Sequence, residues 1–379
     1  MSRLHLFNPD NDLALANGSP NFTPPRSAIG LRTSGACLPM WYECRGDYFV
    51  GAVNERWFED ISNAFGLSVE PAMIYEPGMV PEPWGWSAAA RTTFLRLGVP
   101  ADKLPDDSEI ELMRHLSHRT TTAEVANYCY RQFPWLVGDS EPGPVIVTDA
   151  AEALETVDSM GRAMLKLPWS NAGRGQQDSG RIPRNVLIDR INGMLNRQGA
   201  IEIEPYYDRI TDFAVLFDDS GQYIGLSLFT TDTHGGWTGN VLTDDSAIEE
   251  QIGTDIEPIA KSLEMALDAH VFSSGYKGPV GVDMMKAIDR TGRVVYPIVE
   301  VNVRRTMGNV AHVFHRRFMA PGVTGRLTVE PRSSEPFHVV GDCEIADGKL
   351  VSGCLDLVPP GGDFRIVVRT DRATISTVF

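Results

Sequence analysis

Residues 299–304, Val-Glu-Val-Asn-Val-Arg, alternate apolar and polar side chains without a break. Successive side chains on a strand point to opposite faces, so Glu300, Asn302 and Arg304 share one face and the three valines the other. A carboxylate, an amide and a guanidinium in one row make a wall suited to a metal-bound polyphosphate, because hard Mg²⁺ prefers such oxygen ligands. The same alternation also describes an ordinary half-buried strand with a polar outer side. A second run, residues 278–285, puts Asp283 and Met285 on one face and Val280, Val282 and Met284 on the other. Residues 287–295 between the two runs carry the turn residues and flanking apolars of a β-hairpin. Antiparallel pairing would bring Asp283 near Glu300 and Asn302, with Met285 as an apolar floor. Like charges held together on a half-buried sheet are costly unless a cation sits between them.

The elements that must position this hairpin lie upstream. In residues 164–175 a strand delivers Lys166 and opens into a small-residue loop containing Ser170, Asn171, Gly173, Arg174 and Gly175. Glycines let backbone N–H groups approach phosphate, while Lys166 and Arg174 supply charge. The G-x-x-x-x-G-K-[ST] pattern of a P-loop is absent. Taken alone, 171–175 is also compatible with a surface turn. Residues 201–207 and 211–217 read as two strands around Pro205-Tyr206-Tyr207, or as a plain hairpin turning at Asp208-Arg209. An amphipathic helix opens in residues 116–123, capped by Ser117 or Thr120, with Arg119 in its first turn.

The D-x-M hairpin ending in E-x-N-x-R resembles the metal-binding end of the ATP-grasp superfamily, and the upstream stations stand in that family's order. The resemblance covers roughly residues 113 to 320. It implies an ATP-grasp fold of class α/β (α+β in the grasp region), with an N-terminal Rossmann-like lobe. It implies that Lys166, with Arg119, holds the triphosphate under a lid from Ser170 to Gly175. Glu204 would sit at the adenine edge, Tyr206 in the hinge, Asp212 at the ribose and Met285 beneath the nucleotide. Asp283, Glu300 and Asn302 would hold two Mg²⁺ ions, with Mn²⁺ as an alternative. Arg304 would steady a substrate carboxylate or an oxyanion. The activity implied is ATP-dependent joining of a small carboxylate to an amine or similar nucleophile through an acyl-phosphate. The alternatives are a phosphotransferase of the same fold and a nucleotide-binding protein without turnover.

Composition sets the frame. A chain of 379 residues with 42% hydrophobic content can bury a large core and form two or more domains. A formal net charge of −16 argues against nucleic acid as a partner and requires local arginines to bring an anionic substrate to the site. Five scattered cysteines, Cys37, Cys44, Cys129, Cys343 and Cys354, include no C-x-x-C pair, so reduced, packed thiols are expected. Arg3, Asp10 and Asp12 exclude a secretory signal at the start, no apolar run reaches bilayer length, and the cytoplasm follows, with no membrane partner. Oligomeric state is left open, a homo-oligomer included.

Four regions are expected: an α/β lobe over 1–112 with helices near 54–65 and 87–97, a small lid-bearing subdomain over 113–200, a larger catalytic subdomain over 201–330 with a helix near 255–271, and a β-rich segment over 331–379 with a turn at 359–362. Two clusters stand apart from these stations. Asn8-Pro9-Asp10-Asn11-Asp12 directly follows the first strand, where open α/β sheets bind ligands, and is also good loop composition. Residues 234–240, with His234 and Trp237 among glycines, could close over a site or form a surface loop. His312 and His315 have helical spacing but lack a third metal ligand.

Overall fold

Arg3–Leu6 (β1) opens the chain and leads through helices Asn11–Asn17 (α1) and Arg26–Ser34 (α2) to Tyr48–Val50 (β2). Glu55–Phe65 (α3), Glu70–Ala72 (β3), Val80–Pro83 (β4) and Ala88–Arg96 (α4) complete the lobe. Its strands are parallel in the order β3-β2-β1-β4. Helix α3 shows why the segment folds as it does: the Asn54 side chain caps its start, Gly66 ends it in the left-handed region, and Trp57, Ile61 and Phe65 bury one stripe. The structure, a computed structural model, describes residues 2–43, 46–138, 142–170, 175–233, 235–333 and 335–371.

Asp107–Leu116 (α5) and Arg119–Gln132 (α6) follow. Neither Ser117 nor Thr120 caps α6. His118 occupies the extended position before it and accepts the Thr120 N–H through Nδ1 at 3.0 Å. Val145–Val147 (β5), Ala150–Met160 (α7), Ala163–Lys166 (β6), Gln176–Asp178 (β7), Arg184–Gln198 (α8) and Ile201–Pro205 (β8) form an antiparallel sheet in the order β5-β8-β6-β7. Leu165, Ile201 and Ile203 pack with Val157, Leu187 and Ile191 of α7 and α8 in a core of their own. This sheet takes in 201–205, so the change of sheet falls after Pro205 and not at 200.

The third body is a ten-stranded sheet. Asp208–Phe217 (β9), Tyr223–Thr231 (β10) and Trp237–Leu242 (β11) precede helices Asp245–Ile252 (α9) and Glu257–His270 (α10). Val280–Ile288 (β12), Val294–Val295 (β13), Ile298–Asn302 (β14), helix Met307–Phe318 (α11) and Gly325–Pro331 (β15) follow, then Cys343–Ala346 (β16), Lys349–Asp356 (β17) and Phe364–Thr370 (β18). Strands β8 and β9 do not pair as a hairpin. β8 lies between β5 and β6, β9 lies between β12 and β10, and Tyr206-Tyr207 joins the two sheets. The segment after 330 is no separate body: β18 pairs with β15 and extends the large sheet. Residues 359–362 connect β17 to β18, as expected. Helix α10 buries Ile259, Leu263, Ala266 and Leu267 against this sheet, close to the pattern expected for 255–271.

Candidate active site

The hairpin of β12 and β14 forms with the expected sense and register. Asp283 stands opposite Glu300 and Gly281 opposite Asn302 in an antiparallel pair. Asn302 donates from Nδ2 to Asp283 Oδ2 at 3.0 Å. Burial, reinforced by the charge of Glu300, pushes the Asp283 carboxyl up to about 7, against the opposing pull of Arg304 and Asn302. Two facing carboxylates and an amide fit a divalent cation: all three offer hard oxygens, and a cation there would offset the burial and the Glu300 charge that raise the Asp283 carboxyl.

The register shifts between Asp283 and Met284, because Met284 pairs with Ile298 and Val299 is bypassed. That bulge frees the Val299 carbonyl from the ladder. It accepts two cationic donors instead, Lys166 Nζ at 3.0 Å and Arg119 Nη1 at 3.2 Å. The outer edge of β14 is covered by α6, where Thr122 Oγ1 accepts the Val301 N–H at 3.0 Å and the Tyr130 hydroxyl accepts the Ile298 N–H at 2.8 Å.

Lys166 ends β6 and Arg119 begins α6, and both are almost wholly buried. Lys166 Nζ lies 2.6 Å from Glu204 Oε1 and 3.9 Å from Glu202 Oε2. Arg119 reaches Glu202 Oε2 at 3.1 Å, Glu300 Oε1 at 3.0 Å, the Ser170 hydroxyl at 3.2 Å and the Leu167 carbonyl at 3.1 Å. Burial works against the Arg119 charge, but Glu300, Glu202 and Glu204 outweigh it and hold its pKa above the ordinary value. Glu202 is fully buried with Oε1 unpaired, and burial raises its carboxyl despite Lys166 and Arg119. Lys166 of the β5–β8 sheet and Arg119 of α6 thus converge on the bulge beside the Asp283–Glu300 pair.

Glu202 is the residue the sequence reading passed over. The signal was present: in Ile201-Glu202-Ile203-Glu204 both carboxylates fall on one strand face, toward Lys166. Arg304, one residue beyond the first past β14, binds the carboxylate of Asp12 in α1 from Nε at 3.0 Å and Nη2 at 2.6 Å. Arg305 turns elsewhere, to Glu43 at 2.7 Å and Glu82 at 3.0 Å. Asp212 lies opposite Met285 in the β9–β12 pair and accepts from Thr231 Oγ1 at 2.7 Å and Arg209 Nη1 at 3.3 Å. Burial raises its carboxyl against the pull of Arg209. Met285 is buried with Val137, Tyr207 and Val295. Tyr206 lies under the Arg162 guanidinium, 3.4 Å from its ring centroid. Gly175 takes a positive φ of 78°, and its carbonyl accepts the Leu167 N–H at 3.0 Å. Asn171, Gly173, Arg174, His234 and Cys44 lie outside the described residues.

His312 and His315 turn to different partners, the carbonyls of Leu226 and Val323. Another grouping of His5, Glu43 and Asp47 has the spacing of metal ligands, but the Arg305 guanidinium already lies 2.7 Å from Glu43 there. No helix of the described residues is long and apolar enough to cross a membrane.

No family model and no curated protein matches the sequence. The fold does match solved structures. A biotin carboxylase from Campylobacter jejuni in complex with β-γ-ATP superposes with a TM-score of 0.51 at 11% identity, over 98% of this chain and 87% of that one. The biotin carboxylase domain of the Hydrogenobacter thermophilus 2-oxoglutarate carboxylase gives 0.50 at 15% identity, over 97% and 86%. The chain has the ATP-grasp fold. Strands β5–β8 make one sheet, and β9, β12 and β14 of the large sheet carry Asp212, Asp283 and Glu300.

Proposed function

We propose that the protein joins a small carboxylate substrate to an amine or similar nucleophile at the expense of ATP, through an acyl-phosphate. The reading rests chiefly on one juxtaposition: the opposed Asp283 and Glu300, with Asn302, beside the buried cations Lys166 and Arg119. Both superposed enzymes were solved with adenine nucleotides, the second with a magnesium salt of ADP and bicarbonate. Asp283, Glu300 and Asn302 would hold Mg²⁺, two ions in the fullest form. When bound, the metal supplies charge neutralisation at the phosphates.

The chain's own residues do the rest. Lys166 and Arg119 would meet the phosphates at the Val299 bulge, and phosphoryl transfer is limited mainly by positioning and such charge. Glu202 and Glu204 hold both cations in place until phosphate oxygens compete for them. Pro205 to Tyr207 would contact the base, Asp212 the ribose and Met285 the face of the adenine. Ser170 and Gly175 bracket the loop that would cover the phosphates. Arg304, held by Asp12, would orient the substrate carboxylate and stabilise the oxyanion; removing one such donor typically costs about 3 kcal/mol in the transition state. We place this activity in the cytoplasm.

The deciding experiment incubates the protein with MgATP and panels of small carboxylates and amines, following ADP and phosphate. A ligase forms ADP only when a carboxylate is present, and hydroxylamine diverts the acyl-phosphate to a hydroxamate. A phosphotransferase yields a stable phosphorylated product without hydroxamate. Stabilisation by MgADP without any turnover would leave a nucleotide-binding protein. Glu300→Gln and Asp283→Asn should each abolish MgATP turnover with the fold intact, and wild-type turnover in both would overturn the metal assignment.

A further inference from the structure

Glu202 stands in an interior strand of its sheet, opposite Ile146 of β5 and Lys166 of β6, and is fully buried. A carboxylate in such a place is costly unless a cation is held against it with good geometry. Lys166 Nζ is 3.9 Å away, beyond hydrogen-bond reach, and makes its shorter contact with Glu204 at 2.6 Å. The direct partner of Glu202 is Arg119, whose Nη1 donates to Oε2 at 3.1 Å. Oε1 accepts from no group among the described residues.

A guanidinium carries five N–H groups in a rigid fork. In Arg119, Nε donates to the Leu167 carbonyl, and Nη1 donates to Glu202 and to the Val299 carbonyl. Nη2 donates to the Ser170 hydroxyl at 3.2 Å and lies 3.0 Å from Glu300 Oε1. Every arm of the fork is therefore engaged, and a phosphate can be met only by giving up a contact. The two ends differ in what release leaves behind. At the Nε and Nη1 end, a fully buried carboxylate and two main-chain carbonyls would lose donors, the costly outcome. At the Nη2 end stand a rotatable hydroxyl and Glu300, whose side chain is 26% exposed and so open to water or to a metal. Nη2 is the exchangeable end. It also faces a metal ligand: an ion held by Glu300 Oε1, at roughly 2.1 Å from it, could stand no farther than about 5 Å from Nη2, like charge against like.

We propose that Glu202 is a positioning residue: it anchors Arg119 through Nη1 so that Nη2 plugs Glu300 and withholds it from a divalent cation until a phosphate takes Nη2. The inference rests on the nucleotide reading above. Arg119 is thus the cation that Glu300 keeps in the absence of ligand, and the phosphates, by drawing Nη2 away, free Glu300 to face Asp283 as a metal ligand. Metal and nucleotide then favour each other's binding, and the coupling is reciprocal. The charge of Glu202 sets the balance. A glutamine there keeps the shape of the anchor but leaves the charge of Arg119 to Glu300, so the plug holds more tightly.

The test is Mn²⁺ binding to the full chain, read as loss of the free-ion EPR signal, with and without ADP and with melting curves in parallel. Wild type should bind Mn²⁺ alone at least tenfold more weakly than with ADP. The double variant Arg119→Gln with Glu202→Gln removes one charge of each sign, so it strands no buried carboxylate and leaves the local net charge unchanged. It should bind Mn²⁺ alone at least tenfold more tightly than wild type, and adding Asp283→Asn should abolish that gain. Arg119→Lys, which keeps a cation for Glu202 but has no second arm, should shift the same way and decides the matter if the double variant does not fold. Glu202→Gln alone should bind Mn²⁺ no better than wild type, whereas a merely structural role would move it together with the double variant. A folded double variant with wild-type affinity for Mn²⁺, or a tenfold gain in Glu202→Gln alone, overturns the proposal, and stabilisation of wild type by Mn²⁺ with ADP would then spare the nucleotide reading. No response to Mn²⁺ with or without ADP in wild type and variants alike overturns both.

Discussion

Lys166 is a residue whose removal reports on stability and chemistry at once. Its ammonium is the partner of Glu204, which is buried, so Lys166→Met leaves an uncompensated carboxylate. Breaking a buried pair in this way costs about 3–5 kcal/mol. The expected outcome in urea unfolding is a loss of that order. Adding Glu204→Gln should recover at least half of it, while turnover stays absent in both variants. Full turnover in the double variant would show that Lys166 serves the fold alone. Asp283 tests the sign of the site's electrostatics. Its carboxyl is raised to about 7 in the folded chain, against about 3.9 unfolded. A raised acid adds stability at low pH that is lost as pH climbs from about 4 to about 7. Metal-free wild type should weaken across that window, and Asp283→Asn should not, leaving the variant ahead by up to about 4 kcal/mol at pH 8. Melting curves in chelator between pH 4 and 8 check this; parallel slopes would refute the burial of Asp283. Asp283, Glu300 and Lys166 were legible because each sits on a strand whose alternation fixes its face. The pairing of Arg304 with Asp12 was not, since 292 residues separate them and no local pattern links a strand end to the first helix.

At the scale of elements, β14 decides whether the site is rigid. One edge pairs with β12, and the other is satisfied by side chains of α6 and not by another strand. Thr122→Val would leave the Val301 N–H buried without an acceptor, at a cost of about 1–3 kcal/mol. Hydrogen exchange should accelerate at Val301 and its neighbours in β14 well beyond any change in β9 or β10, with MgADP binding weakened in step. Unaltered exchange there would mean that α6 does not hold the edge. The hairpin of β12 and β14 and the helix α10 were readable from alternation and helical spacing. The bulge at Val299 was not, because an unbroken alternation gives no hint that one residue will be skipped. Nor was the destination of 201–205: a strand's sequence says which faces are apolar, not which sheet supplies its neighbours. For the same reason the strands after 330 could be counted but not assigned to the large sheet.

At the scale of the whole molecule, the distribution of cores says which parts move together. Trp41 of the N-terminal lobe packs on Phe65 at 5.2 Å and on Phe314 and Phe318 of α11 at 5.4 Å each, and donates from its indole to the Leu357 carbonyl at 2.7 Å. The same cluster includes Leu355, Ile366 and Val368 of the C-terminal strands. The lobe therefore shares a core with α11 and the C-terminal strands of the large sheet, and these should unfold together, while β9, β10, β12 and β14 pack with α6 and α10 in another. The β5–β8 sheet has a separate core. Among the described residues, its ties to the rest at the site are largely polar, from Lys166 to the Val299 carbonyl and from Glu202 to Arg119 of α6. Polar ties across a cleft can be exchanged for ligand contacts, whereas a shared aromatic core cannot open without exposing it. Two outcomes follow for hydrogen exchange. MgADP should slow exchange across β5–β8 far more than across β1–β4 or β15–β18. Trp41→Ala, costing about 3–5 kcal/mol, should speed exchange in β1–β4 and β15–β18 together while β5–β8 keep their wild-type protection until the global transition. Equal protection of all three bodies by nucleotide, or release of the N-terminal lobe alone in the Trp41 variant, would mean that the boundary of motion runs elsewhere than through Tyr206-Tyr207.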